Sequence, residues 1–191
     1  SQEDVRDFFH RIHVVDIPEL CEYFALPPVC PRLLASLYAK AGQSLPAEIR
    51  EWLDVPGKVF PALTVLAMGF SGSFHLAQCV HEHIADNAVP AAKRLSDRKP
   101  PPTLSSKNSV IMLYADNGNH LSLSAKVCNR SRELLSAALH QHNLATHEVE
   151  LASACGTTLG IQFDGQIDTI GPTAERDSTL DQSLLALISG S

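Results

Sequence analysis

The sequence predicts an α+β fold: a sheet with helices packed on one face, followed by a small β meander. Segments that read as strand and helix alternate as β, α, β, α, β, α before three short strands follow one another, and such a series packs as a sheet layer against a helix layer. No glycine-rich phosphate loop joins any strand to a helix. The chain has 191 residues, 45% hydrophobic and 19% charged, which suits one compact domain, or one and a small appendage.

Taken in order, residues 1–15 carry Val5, Phe8, Phe9, Ile12, Val14 and Val15, enough for a short strand and a turn of helix. Pro27, Pro28 and Pro31 break the chain. Residues 32–41 and 46–53 read as short helices, with Pro46 suited to a first helical turn, and Asp54, Pro56 and Gly57 as a turn. Residues 58–67, with Val59, Phe60, Leu63, Val65 and Leu66, read as extended, and Gly69 ends them. Ser71 or Ser73 caps a helix to about Asn87 that buries Phe74, Leu76, Ala77, Val80 and Ile84.

A loop over 98–107 begins with the stiff run Arg98 to Thr103. Residues 109–115 form the strongest strand, because Ile111, Met112, Leu113 and Tyr114 are apolar in succession. A helix over 130–142, capped by Asn129, buries Leu134, Leu135, Ala138 and Leu139. Strands near 146–152, 157–163 and 166–170 follow, then a helix over 173–188.

The formal charge of -6 argues against strong nucleic-acid binding by the chain alone, since phosphate contacts come mainly from Lys and Arg. Five scattered cysteines without a Cys-x-x-Cys pair argue against a structural zinc and for reduced thiols in cytosol or nucleus, not a secreted protein. No run approaches the roughly 18 apolar residues of a membrane span, so no membrane partner is expected. The first segment reads as mid-domain, so an N-terminally truncated fragment is expected. His81-Glu82-His83 and His140-Gln141-His142 place i and i+2 side chains apart on a helix, so both read as solvated surface rather than chelators. Lys93-Arg94 and Arg98-Lys99 read as a solvated basic loop.

Two acidic spots stand out. One is Asp4-Val5-Arg6-Asp7-Phe8-Phe9; the other is Tyr114-Ala115-Asp116-Asn117, directly after the apolar strand. A carboxylate at the end of a buried strand projects into a cleft, although Asp116-Asn117-Gly118 alone is also an ordinary hairpin turn. Between them lies Met68-Gly69-Phe70-Ser71-Gly72-Ser73, and beyond them Leu159-Gly160-Ile161, Asp164-Gly165 and Pro172-Thr173-Ala174-Glu175-Arg176.

In order and content these segments resemble the palm of retroelement reverse transcriptases, over about residues 1–177. The resemblance implies a palm-type (ferredoxin-like) antiparallel sheet in residues 1–171, with 29–57 as an added helical pair and 172–191 as a C-terminal helix and connection. It implies an RNA-directed DNA polymerase that transfers deoxynucleotides to a primer 3′-hydroxyl with two Mg2+ ions, or Mn2+. Asp4, Asp116 and Asn117 would be the catalytic positions, with Asp4, Asp116 and the Val5 carbonyl as metal ligands. Phe9, Gly69, Phe70 and Tyr114 would line the substrate, Phe9 as the gate against a 2′-hydroxyl.

Partners would be an RNA or DNA template-primer and deoxynucleoside triphosphates, gripped by fingers and thumb regions outside this chain. Two dications about 4 Å apart repel by roughly 16 kcal/mol at an effective dielectric of 20, which is why the chemistry needs carboxylates bridging them. Asn117 stands where the usual pattern has a second Asp and brings no charge. A non-catalytic palm relic and a nucleotidyl-cyclase-like palm enzyme are the competing readings.

Overall fold

The computed structural model describes residues 1–51, 53, 56–167 and 169–179. In chain order the elements are β1 (Gln2–Val5), α1 (Phe8–Arg11), α2 (Pro18–Tyr23), α3 (Pro31–Lys40), α4 (Ala47–Arg50), α5 (Ser71–Ala88), β2 (Lys93–Arg94), β3 (Val110–Tyr114), β4 (Asn117–Leu121), α6 (Ala125–Gln141), β5 (Thr146–Glu150), β6 (Cys155–Thr158), β7 (Ile161–Asp164) and β8 (Thr169–Pro172). Residues 174–179 are helical, and the rest of the helix expected over 173–188 lies outside the described residues, as do Trp52 and Asp54. The fold is mixed α+β. It divides into two compact units, residues 1–6 with 78–191, and residues 7–77.

The first unit is built on a five-stranded sheet of order β2-β3-β4-β1-β5. Its β3–β4, β4–β1 and β1–β5 pairs are antiparallel, as expected. The edge pair β2–β3 is parallel, so the sheet is mixed rather than wholly antiparallel. That strand is the basic pair Lys93-Arg94, expected as a solvated loop. Arg94 is instead half-buried and tied to α5 through Asp86 at 3.0 Å and Glu82 at 3.4 Å.

Register assigns the faces. Glu3 lies opposite Gly118, Leu113 opposite Gly118, and Ile111 opposite His120, so Glu3, Val5, Ile111, Leu113 and His120 share one buried face. α6 packs against β4, β1 and β5 on that face, where Ser131 bonds His120 and where Leu135 and Leu139 are fully buried. Asp4, Met112, Tyr114 and Asn117 alternate onto the opposite face.

Three expectations are corrected here. The segment Asn117–Leu121 is a strand, not merely a turn. α6 begins at Ala125, capped by the Ser124 hydroxyl, while Asn129 accepts a bond from the Ala152 N–H instead. The first of the three late strands joins the main sheet beside β1, and the meander is β6-β7-β8. Leu159 (φ 49°) and Gly160 (φ 74°) make the two-residue turn between β6 and β7, within the stretch expected as one strand over 157–163. The Arg176 guanidinium donates to the Leu159 carbonyl at 2.7 Å, and the Thr173 N–H to the Gly160 carbonyl at 3.0 Å.

In the second unit, which holds α1 to α4, Phe8, Val14, Phe24 and Leu66 are buried. The helical pair expected within 29–57 is α3 and α4. Residues 58–67, expected as extended, pair through the single bridges Val29–Val59, Ala25–Ala62 and His13–Val65 rather than in a ladder. Pro61 offers no N–H to a ladder, which favours isolated bridges over a regular strand. Among the described residues no helix is long and apolar enough to cross a membrane.

Leu139 is 0% exposed and Leu123 is 70% exposed. Leu139→Ala is therefore expected to cost about 2–5 kcal/mol in urea unfolding, and Leu123→Ala less than about 0.5 kcal/mol.

Candidate functional site

Of the two acids that the sequence singles out, Asp4 arrives on β1 and Asp116 in the turn between β3 and β4. The apolar run of β3 ends at Tyr114, and the chain reverses over Ala115 and Asp116 into β4, with Tyr114 opposite Asn117. Asp4 on β1 also lies opposite Asn117, and the Val5 N–H donates to the Asp116 carbonyl at 3.0 Å. Val5 and Asp116 thus form a hydrogen-bonded pair, which makes Asp4 and Asn117 the closely spaced kind of antiparallel pair, with side chains on one face.

Burial raises the Asp4 carboxyl above its ordinary value, and the negative charge of Asp116 raises it further. His147 on β5 acts in the opposite sense, with Nδ1 3.3 Å from the Asp4 carboxylate and 3.2 Å from the Asp4 carbonyl oxygen. Asp4 is 22% exposed and His147 29%. The Asn117 side-chain amide donates to the Asp116 carboxylate at 3.1 Å and so orients it. Tyr114 is half-exposed on the same face, and the Val5 side chain is buried, leaving only its backbone to contribute.

Behind the hairpin stands α5. The Gln78 side-chain oxygen accepts the Ala115 N–H at 2.8 Å, its amide donates to the Leu113 carbonyl at 3.1 Å, and His81 Nδ1 donates to the Ala115 carbonyl at 2.7 Å. His81 is fully buried, which corrects its expected place on the solvated surface; His83, His140 and His142 are exposed as expected. Burial pushes His81 below the usual imidazole value, against the pull of the Ala115 carbonyl. Beneath Asp4 lies a second buried group: Glu3 sits 3.4 Å from His120 Nε2, and His120 Nδ1 is 2.9 Å from the Ser131 hydroxyl.

Phe9, Gly69 and Phe70 belong to the second unit. Phe9 is half-buried, with its ring edge-on to Phe8 at 6.3 Å. Phe70 packs edge-on to Phe24 at 5.3 Å. Gly69 has φ 89°, and nothing lies within 4 Å of where a Cβ would stand, so backbone conformation rather than crowding accounts for glycine there.

Among the described residues no three or more His, Cys, Asp or Glu side chains converge as a metal cage. What the register brings together is Asp4 and the Asp116 hairpin, where burial first and then the Asp116 charge raise the Asp4 carboxyl against the pull of His147. An all-oxygen pair short of positive charge suits a hard divalent cation that keeps most of its water. Sequence reasoning missed Gln78, His81 and His147. His81 carried a signal, since it falls four residues after Ala77 and three before Ile84 on the apolar stripe of the helix. No protein-family model matches the chain, and no curated protein matches it.

The raised Asp4 value fixes a sign. A carboxyl raised in the fold stabilises fully below its ordinary range, and that contribution is lost as pH rises through the folded value. Asp4→Asn is accordingly expected to raise the urea midpoint at about pH 7, with the gain shrinking towards about pH 4. A gain that persists unchanged at the lower pH would contradict this origin.

Proposed function

We propose that this chain is the palm part of a reverse transcriptase, an RNA-directed DNA polymerase whose fingers and thumb lie outside it. The observation that carries the reading is the pairing of Asp4 with the Asp116 hairpin, close enough for one charge to raise the other carboxyl. The sheet supports it. Leaving out β2, the order β3-β4-β1-β5, with α5 between β1 and β3 and α6 between β4 and β5, is the split β-α-β-β-α-β arrangement called ferredoxin-like.

Asp4 and Asp116 would hold Mg2+, with Mn2+ as a substitute. The bound ions supply activation of the primer 3′-hydroxyl and charge stabilisation of the leaving pyrophosphate. Asn117 keeps one Asp116 oxygen engaged, leaving the other for a cation. Tyr114 offers an exposed ring beside the acids for a base or sugar of the template-primer or incoming deoxynucleotide. The roles of Phe9, Gly69 and Phe70 rest on the motifs alone.

The non-catalytic relic is the second reading, favoured by two observations. Asn117 stands in place of an acid, and His147 already pairs with Asp4.

Calorimetric titration of the chain with Mg2+ and Mn2+ tests the reading. Binding is expected, and Asp4→Asn and Asp116→Ala are each expected to abolish it. A parent chain that binds neither ion, or variants that bind as the parent does, would remove the polymerase reading. Primer extension by this chain alone is expected to stay at the Asp116→Ala background, since the basic grip on template and triphosphate lies elsewhere.

A further inference from the structure

We propose that Gln78 is a positioning residue, and that through it and His81 helix α5 sets how Asp116 is presented to Asp4. The inference rests on the two-acid reading of the site and adds the group that sets its geometry.

Ala115 has φ 49°, the left-handed region that an L side chain rarely adopts. Glycine or asparagine commonly supplies that conformation in a two-residue hairpin turn, and alanine gains nothing from it locally. A non-glycine residue persists there when its surroundings over-determine it. Both backbone groups of Ala115 are held by α5: its N–H by the Gln78 side-chain oxygen at 2.8 Å, its carbonyl by His81 Nδ1 at 2.7 Å.

Gln78 does more than accept one bond. Its amide nitrogen donates to the Leu113 carbonyl at 3.1 Å and to Glu82 at 3.0 Å. A single side chain therefore spans Leu113 and Ala115 across Tyr114, and Glu82, one helical turn on, steadies it. Only a side chain with both an acceptor and a donor at its tip can do this. Methionine has the length without either strong group, and glutamate lacks the donor.

Asp116 follows Ala115 directly, and its carbonyl receives the Val5 N–H from the strand that carries Asp4. The backbone angle at Ala115 thus decides where the Asp116 carboxylate points relative to Asp4.

Four chains of residues 1–191 test the proposal: the parent, Gln78→Met, Ala115→Gly, and the double variant. Mn2+ affinity is read from the free-ion electron paramagnetic resonance signal, and hairpin conformation from the amide resonances of Asp116 and Asn117 without metal. Gln78→Met is expected to weaken Mn2+ binding about tenfold, the scale of one hydrogen bond's net worth, and to move both resonances. The double variant is expected to recover most of the affinity and the parent resonances, because glycine reaches the left-handed region unaided.

Resonances and affinity unchanged in Gln78→Met would overturn the proposal. So would a loss that Ala115→Gly does not restore, since that is the signature of general destabilisation. If the parent chain binds no Mn2+, the two-acid reading fails. The resonances of the four chains then still decide whether Gln78 sets the hairpin.

Discussion

The register between β1 and β4 is the constraint from which the first unit's architecture and its acidic site both follow. Successive residues of β1 point to opposite faces, so Glu3 and Val5 go down under the helices while Asp4 goes up beside Asn117. A slip of one residue would bury Asp4 and expose Glu3 and Val5. The register is pinned from below. Glu3 is 1% exposed, meets His120, and lies where a Cβ on Gly118 would come within 3.3 Å of its side chain. A side chain at Gly118 would press on Glu3, so the glycine gives the buried carboxylate its space. A buried polar contact of this kind adds little net stability but specifies one pairing over its neighbours.

Asp4 and Asp116 are brought near one another by the backbone rather than by side-chain length. A ladder bond fixes Val5 to Asp116, and no rotation of either strand can separate the acids without breaking it. Two like charges at an effective dielectric of 20 interact by roughly 4 kcal/mol at 4 Å and roughly 2 kcal/mol at 8 Å. His147 and the Asn117 amide relieve part of this, the first by opposing charge and the second by a neutral bond. Burial and Asp116 still prevail over His147 in raising Asp4. The pleat fixes the face of Asp4, and the turn that follows β3 fixes the backbone of Asp116.

How much of this could be read from the sequence depends on the kind of signal each element carried. β3 was legible because Ile111, Met112 and Leu113 are apolar in succession. β4 was not, because Asn-Gly-Asn-His-Leu carries no apolar alternation: His120 is buried by its bonds to Ser131 and Glu3 rather than by hydrophobicity. The start of α6 was misplaced because Asn129 looks like a cap, whereas Ser124 is the residue whose hydroxyl accepts a backbone N–H of the first turn. The two acids were legible as local motifs. Gln78 and His147 were not, since nothing in a single sequence says that they converge on residues 37 and 143 positions away. The parallel edge strand β2 was invisible for a different reason: two basic residues are too short a run to show a period, and tertiary ion pairs to Asp86 and Glu82 decide their place.

The order of the sheet gives the site its dependence on long-range closure. β1 is only four residues long, yet it lies between β4 and β5, and the whole of residues 7–77 separates it from the remainder of its own unit. Such an insertion is tolerable because loop-closure entropy grows only logarithmically, about 0.6 kcal/mol per doubling of length. What recovers that cost is the burial of Glu3 and Val5 and the ladder bonds on both edges of the strand. The same docking brings Asp4 to the Asp116 hairpin. Completing the sheet and assembling the pair of acids are therefore one event, and a change that loosens β1 anywhere along its four residues removes half of the site at once.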